Sequence, residues 1–380
     1  MKGIVIGAGI GGLSTAIAMQ MRDIPVSIFE AAANLSPIGA GILVPPNAVT
    51  ILERFALAKQ ILDSGKIIES LVVVDTRGRT ISKTPAFYAK NGQRYPTIAI
   101  HRGRLQAILL GALASDTVLT GKQCLQVRTD GEGAEAEFRD GSTVRGDFLV
   151  GADGIHSKVR EAIFPDSPLR YSGQTCWRGV SSATLPSKWA NQLTEVWGLG
   201  LRLGFVPIGA GQVYWYATRP VRAGGADDPA DIKRQLINLY GEFPDPSAEI
   251  ISGTEPSVII RDDISDLAPL KSWFSGSVML MGDAAHASTP NLGQGGAQAI
   301  EDSWVLAEKL SSCKTLQEAY RSFHDSRRAR VNRIVNVSWQ IGKVTSLSNK
   351  MACKMRNTIF RCIPPFMANS QSRSIYDVPY

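Results

Sequence analysis

"KGIVIGAGIGGLSTAIAMQM", residues Lys2 to Met21, decides the fold. A short apolar run reads as a buried strand, and the residues after the glycines read as a helix. Gly7-x-Gly9-x-x-Gly12 sits at the turn between them. "PVSIFEA", Pro25 to Ala31, is a second strand that closes on Glu30. Strand, glycine turn, helix, and strand with an acid at this offset make a β-α-β unit suited to a dinucleotide. Gly7 allows the tight turn, Gly9 lets backbone approach a pyrophosphate, and Gly12 lets the helix pack closely on the strand. The helix start then offers unpaired N–H groups and a positive dipole end to the phosphates. Glu30 can accept from ribose hydroxyls. The competing reading is a glycine turn that serves packing alone.

Two later stretches repeat the design. "DFLVGA", Asp147 to Ala152, reads as a strand ending at Asp153-Gly154. "VMLMGDAAHASTPNLGQGG", Val278 to Gly296, reads as a buried strand, Gly282-Asp283 at its tip, and a glycine-rich helix start. Three such tips are most economically placed in one sheet, lining one crevice. Between them, "TCWRGVSSA", "LRLGFVPIG" and "QVYWYAT" alternate and are aromatic, as an antiparallel sheet would be. The expected fold is therefore α/β: a Rossmann-like dinucleotide domain interrupted by a mostly antiparallel sheet domain, with C-terminal helices. The expected division is 1–70, 101–169 and 276–342 for the first domain, 71–100 and 170–275 for the second, and 343–380 for a basic helix and tail. Locally, the spacing predicts hairpin turns at Arg77-Gly78 and Asp140-Gly141 and a helix from Arg102. Residues 36–47 read as a loop running straight into a helix.

The 380 residues permit two domains with an ample core. No apolar run approaches the roughly 18 residues of a membrane helix. The first strand begins at Lys2, which leaves no room for a signal peptide. Five cysteines without a C-x-x-C pair fit free thiols in a reducing cytosol, so a cytoplasmic protein is expected. Four histidines show no ligand spacing, and no metal is expected. The net charge of +7 is unevenly spread: Arg321 to Arg361 carries ten Lys/Arg and one acid, leaving 31 basic and 33 acidic residues elsewhere. That segment is either a solvated helix face or a contact for an anionic surface. Nucleic acid is not expected, since no binding module or stacking array accompanies the basic residues.

The third motif favours FAD over NAD as the resident dinucleotide. Asp283 can accept from a ribityl hydroxyl. Backbone N–H groups at Gly293, Gly295, Gly296 and Ala297 can face the pyrimidine edge of a flavin, where a helix start stabilises the charge of the reduced ring. An ordinary strand–loop–helix connection is the alternative.

The motifs GAGIGG, GADGIHS and GDAAHASTPNLGQGG, in this order, resemble those of the class A flavoprotein monooxygenases. This is the para-hydroxybenzoate hydroxylase-like family, and the chain looks most like its compact urate-hydroxylase and zeaxanthin-epoxidase branch. The similarity runs from Met1 to about Gly342. It implies a non-covalent FAD, NADH or NADPH as co-substrate, and O2. One oxygen atom would pass to an aromatic or polyene small molecule through a flavin C4a-hydroperoxide. It implies that Glu30, with Ala31 beside it, holds the adenosine ribose. Arg102 would lie near the phosphates and ribityl chain, and Asp153 would contact both FAD and NAD(P)H. Leu43 and Cys124 would use backbone atoms on FAD. The glycine-rich loop Gly39–Gly41 would let the flavin swing. No protein nucleophile is required, and neither a G-x-S-x-G elbow nor H-E-x-x-H is present.

For the substrate, the resemblance points to Arg202, with Trp215 and Pro290 beside it. Arg202 is either a ligand for an anionic ring or half of a structural ion pair. "CWRGV" and "YWY" depart from the urate enzymes' pattern. Outside this reading stand a flavin oxidase or dehydrogenase on the same fold, and an epoxidase taking a lipophilic substrate at a membrane. The latter rests on Val344, Leu347, Met351, Met355 and Ile359, spaced as one helix face and flanked by lysines. That face either packs on the FAD domain or lies on anionic lipid. The oligomeric state is not legible.

Overall fold

Gly3–Ile6 is an inner strand of a six-stranded sheet in the computed structural model, which describes residues 1–35, 40–90, 92–130, 132–364 and 374–378. Across this sheet the order is Phe274–Ser275, Val278–Leu280, Phe148–Gly151, Gly3–Ile6, Val26–Phe29 and Val118–Leu119. All neighbours run parallel except the short edge at Phe274–Ser275. The three strands with glycine or acidic tips are adjacent, and their tips point the same way. All three are buried throughout, as expected of parallel strands covered on both faces. Helix Ile10–Gln20 packs beside helix Gly295–Ser312, so the first and third motifs meet in space although nearly 300 residues apart in sequence.

A second sheet has seven strands, in the order Ile260–Leu267, Leu169–Ser181, Val213–Pro220, Arg202–Pro207, Gln192–Trp197, Ser70–Asp75 and Thr80–Pro85. Only Gln192–Trp197 and Ser70–Asp75 pair in parallel. Alternation along its strands gives it two distinct faces. Leu203, Phe205, Val213, Trp215 and Ala217 point to a core shared with Leu236, Tyr240 and Ile250 on helices Ile232–Tyr240 and Ser247–Ser252. The opposite face looks toward the first sheet. The expected hairpins are present, with Gly78 and Gly141 in the left-handed region.

Within the expected loop, residues 40–47 differ from expectation. A strand, Gly41–Val44, intervenes before helix Pro46–Arg54 and pairs with Gln93–His101. Gln93–His101 also pairs with Lys66–Ile68, so this small sheet bridges the two expected domains. Gly39 of the expected flavin-swinging loop lies outside the described residues, as does most of the tail beyond Pro364.

The chain closes with two helices, Leu316–Thr345 and Lys350–Cys362. Thr315 caps the first and Asn349 the second, each side chain accepting from backbone N–H groups of the first turn. The last helix does not pack its Met351–Met355–Ile359 face on the six-stranded sheet. It docks on the end of strand Gln192–Trp197 of the seven-stranded sheet through Cys353, Arg356 and Phe360, against Gly198 and Trp197. Among the described residues no helix is long and apolar enough to cross a membrane.

Candidate active site

A cavity of about 570 Å³ opens between the strand tips of the first sheet and the inner face of the second. Its first wall is the glycine turn. Gly7 has φ +102°, and a Cβ there would sit 2.6 Å from the Ala152 carbonyl oxygen. A Cβ on Gly12 would lie 1.9 Å from the Gly7 oxygen. At Gly9, which lines the cavity, a Cβ would meet nothing within 4 Å. Two glycines thus serve close packing and one leaves backbone bare toward the cavity. Glu30 stands behind the turn, accepting from Ala8 N–H (2.7 Å) and Ala32 N–H (2.8 Å), with the exposed Ala31 between.

Asp153 does not line the cavity; its neighbours Ala152 and Gly154 do. Its carboxylate accepts from the Ser157 hydroxyl (2.6 Å) and Lys158 N–H (2.7 Å), so it fixes the start of helix Lys158–Ile163. Burial raises its pKa against those bonds. Cys124 is also outside the lining, and burial, helped by Asp153, pushes its thiol up to about 11.

The third motif forms the floor. Gly282, at φ +54°, turns the chain out of its strand, and Asp283 projects into the cavity. Asp283 is exposed on the cavity wall, and desolvation by the surrounding protein raises its pKa, while His286 and Arg102 pull the other way. Arg102 opens its helix on the same cavity. Gly293 takes the left-handed conformation, and the helix from Gly295 starts without a side-chain cap. Gly293, Gly295 and Gly296 line the cavity; Ala297 is buried just behind them. Leu43 and Pro290 complete this part.

Behind the floor lies a buried polar network that sequence reading missed. Asp302 accepts from Gly282 N–H (3.0 Å) and from Arg327 Nε (2.8 Å), and its other partner is His286 Nε2 (2.6 Å). Arg327 also donates to Glu301, which accepts from Asn47 Nδ2 as well (2.5 Å each). Burial alone would raise Asp302, but His286 and Arg327 outweigh it and hold the carboxyl at about 2. Glu301-Asp302 inside an apolar helix was the available signal, because fully buried acids require partners.

The remaining wall is the inner face of the seven-stranded sheet. Arg202 lines it at 3% exposure. It donates to Asn291 Oδ1 (2.7 Å) and stands 3.8 Å from Glu195 Oε1, which also accepts from the Tyr216 hydroxyl. Arg178 pairs with Asp262 at 3.1 Å. Trp215 is a correction: it faces the opposite core, fully buried, its indole N–H donating to Thr254 Oγ1 (2.8 Å). Its neighbours Tyr214 and Tyr216 are the aromatic residues of that strand that line the cavity, because strand side chains alternate.

A family model described as an FAD binding domain matches residues 1–203 and 266–338. Aurachin C monooxygenase/isomerase of Stigmatella aurantiaca is 36% identical, over 97% of this chain and 96% of its own length. The chain belongs to the class A flavoprotein monooxygenases. A second relative of the monooxygenase is 2-heptyl-3-hydroxy-4(1H)-quinolone synthase of Pseudomonas aeruginosa, 33% identical over 96% of this chain and 94% of its own. Among solved structures, Klebsiella pneumoniae HpxO complexed with FAD and uric acid superposes with a TM-score of 0.88 at 27% identity, covering 99% of this chain and 96% of that one. The monooxygenase binds FAD and, as its family does, uses NAD(P)H and O2. The cavity fits that cofactor: bare backbone at Gly9, a carboxylate at Asp283 and an uncapped helix start at Gly295.

Proposed function

We propose that the monooxygenase hydroxylates a neutral, planar heteroaromatic ring carrying an apolar substituent, of the alkylquinolone kind. The observation that carries this is the pairing of both substrate-side cations. Arg202 is held by Asn291 and Glu195, and Arg178 by Asp262. Each charge is thus already offset by a carboxylate, and the buried Nε–H that each arginine has left over can donate to a neutral ring acceptor, whereas unpairing a buried charge is costly. Tyr214 and Tyr216 keep their protons, because burial raises both pKa values, aided by Cys176 at the first and Glu195 at the second. Leu71, Leu193, Ile260 and Leu292 supply apolar wall around these aromatic faces. The name of the Pseudomonas relative, a 3-hydroxy alkylquinolone synthase, supports the same class.

The oxygen chemistry, reduction by NAD(P)H and delivery of one atom of O2 to the ring, is supplied by the bound FAD. In this reading, Gly9 and its helix start hold the pyrophosphate, Glu30 the adenosine ribose through the turn it braces, and Asp283 the ribityl oxygens. N–H groups at Gly295 and Gly296 stabilise charge at the flavin edge. Arg102 stands across from Asp283 and offsets negative charge there. Tyr214 and Tyr216 orient the substrate ring, and the apolar wall excludes water.

The test is NAD(P)H oxidation and O2 uptake by FAD-loaded protein against alkylquinolones, urate, hydroxybenzoates, tetracyclines and carotenoids. An alkylquinolone should accelerate flavin reduction and emerge with one added oxygen. Stimulation by urate or hydroxybenzoate, with alkylquinolones inert, would overturn the assignment.

A further inference from the structure

The last helix, Lys350–Cys362, turns its most apolar row outward. Met351 is 81% exposed, Met355 63% and Ile359 55%, spaced four residues apart. Its buried side is a different row, Cys353 and Arg356, and that side is already in use. Arg356 reaches the Gly198 carbonyl oxygen (3.5 Å) and stacks over Trp197, and Phe360 meets Trp197 edge-on at 5.2 Å. The outward row is therefore not a docking face waiting for its own domain. Leu199, in the turn on which the helix rests, adds an exposed leucine.

The charge that this helix itself carries has one sign, and its acidic contact, Asp75, is taken by Arg361 at the helix end. Lys350 and Lys354 run parallel to it at the same spacing, both exposed, and Lys343 is exposed at the end of the preceding helix. The sequence has no Asp or Glu from 326 to 376. Large flexible apolar side chains flanked by lysines, on a helix anchored by its opposite side, match an anionic bilayer in both hydrophobicity and charge. A protein partner would need compensating acids and a fixed shape; a lipid headgroup layer supplies negative charge without either.

The geometry points to this face as a membrane-docking surface: the helix lies on an anionic lipid bilayer with Met351, Met355 and Ile359 inserted among the headgroups and the lysines on the lipid phosphates. The surface is coupled to the cavity by a short path. Trp197, under the helix, donates its indole N–H to Glu195 Oε2 (2.9 Å), and Glu195 lines the cavity. A ring with an alkyl substituent would partition into that same bilayer; this consequence rests on the substrate reading above, whereas the docking itself does not.

The experiment is co-sedimentation of the FAD-loaded full chain with phosphatidylcholine vesicles, with and without phosphatidylglycerol, at low and high salt. Binding is expected to the phosphatidylglycerol vesicles and to weaken with salt. The pair Lys350→Glu with Lys354→Glu, and separately Met355→Glu with Ile359→Glu, should each weaken it on the order of tenfold or more. Flavin content and melting temperature should not change, since these side chains are exposed. No binding by the parent protein, or variants that bind as it does, overturns the proposal. So does a dimer that the Met355→Glu, Ile359→Glu pair dissolves, which would assign the face to a second copy. Vesicle binding is read without turnover, so its failure is distinct from failure of the substrate assignment.

Discussion

A methyl group at Gly12 would have to displace backbone, whereas one at Gly9 would enter open space where the cofactor belongs. Gly12→Ala should therefore lower stability by about 2–3 kcal/mol, read from urea unfolding, through overpacking. Gly9→Ala should unfold at the parent's midpoint but retain FAD at least about tenfold less tightly, measured by flavin release on dilution. The sequence was sufficient for this contrast, because each glycine's task follows from its place in the turn. It was not sufficient for Trp215. Arg202 pairs in register with Thr218, so Tyr216 and Tyr214 share its face and Trp215 cannot. Naming Arg202 and Trp215 for one site implied a register the sequence does not contain. Trp215→Phe should cost about 1–3 kcal/mol by removing the indole's bond to Thr254 and leaving a gap in the core, with KM unchanged. Tyr216→Phe should do the reverse: a several-fold change in KM at little cost in stability.

Helix Gly295–Ser312 does two things at its two levels. Its first turn faces the cavity, and its second and third carry Glu301 and Asp302 into a charge network that grips Gly282 from behind. Removing Arg327 takes away the buried charge that Glu301 and Asp302 share and leaves Arg330 and His286 to offset them, so Arg327→Met should cost about 3–5 kcal/mol. The network also sets an acid limit. Asp302 is held at about 2, below the ordinary carboxylate value of roughly 3.9 in the unfolded chain. A lowered folded pKa contributes stability that is complete above the unfolded value and is lost as pH falls from about 4 toward 2. Unfolding midpoints measured across that window should fall, and Asp302→Asn should flatten the acid limb while lowering stability near neutrality. Apolar periodicity located this helix correctly but says nothing about where two acids inside it find partners. Those partners come from a helix some 25 residues further on and from Asn47.

That three distant strands share one sheet was legible because they share one design, and a shared design at strand tips implies a shared crevice. The strand Gly41–Val44 was not, since its glycine-rich approach carries the composition of a loop and its pairing partner is over 50 residues away. The cavity is bounded by residues from both sheets, so a ligand filling it ties the two cores together. FAD at about 100 times its dissociation constant should stabilise the chain by roughly 2.7 kcal/mol. Calorimetry should show one transition moving upward on flavin loading; a second transition that ignores FAD would mean that the seven-stranded sheet unfolds independently of the cradle.

The adjacency of Gly3–Ile6, Phe148–Gly151 and Val278–Leu280 also bears on how the molecule is made. The first glycine turn emerges early from the ribosome and waits with an unfinished sheet edge. Loop-closure entropy and high contact order make such late pairings slow. Gly3–Ile6 gains its second neighbour only with Phe148–Gly151, that strand gains its own only with Val278–Leu280, and the floor can close only after Asp302 has been synthesised. Yellow colour in a nascent-chain preparation would therefore time the completion of folding, and a chain stalled before that point would expose apolar strand edges and depend on chaperones to stay soluble.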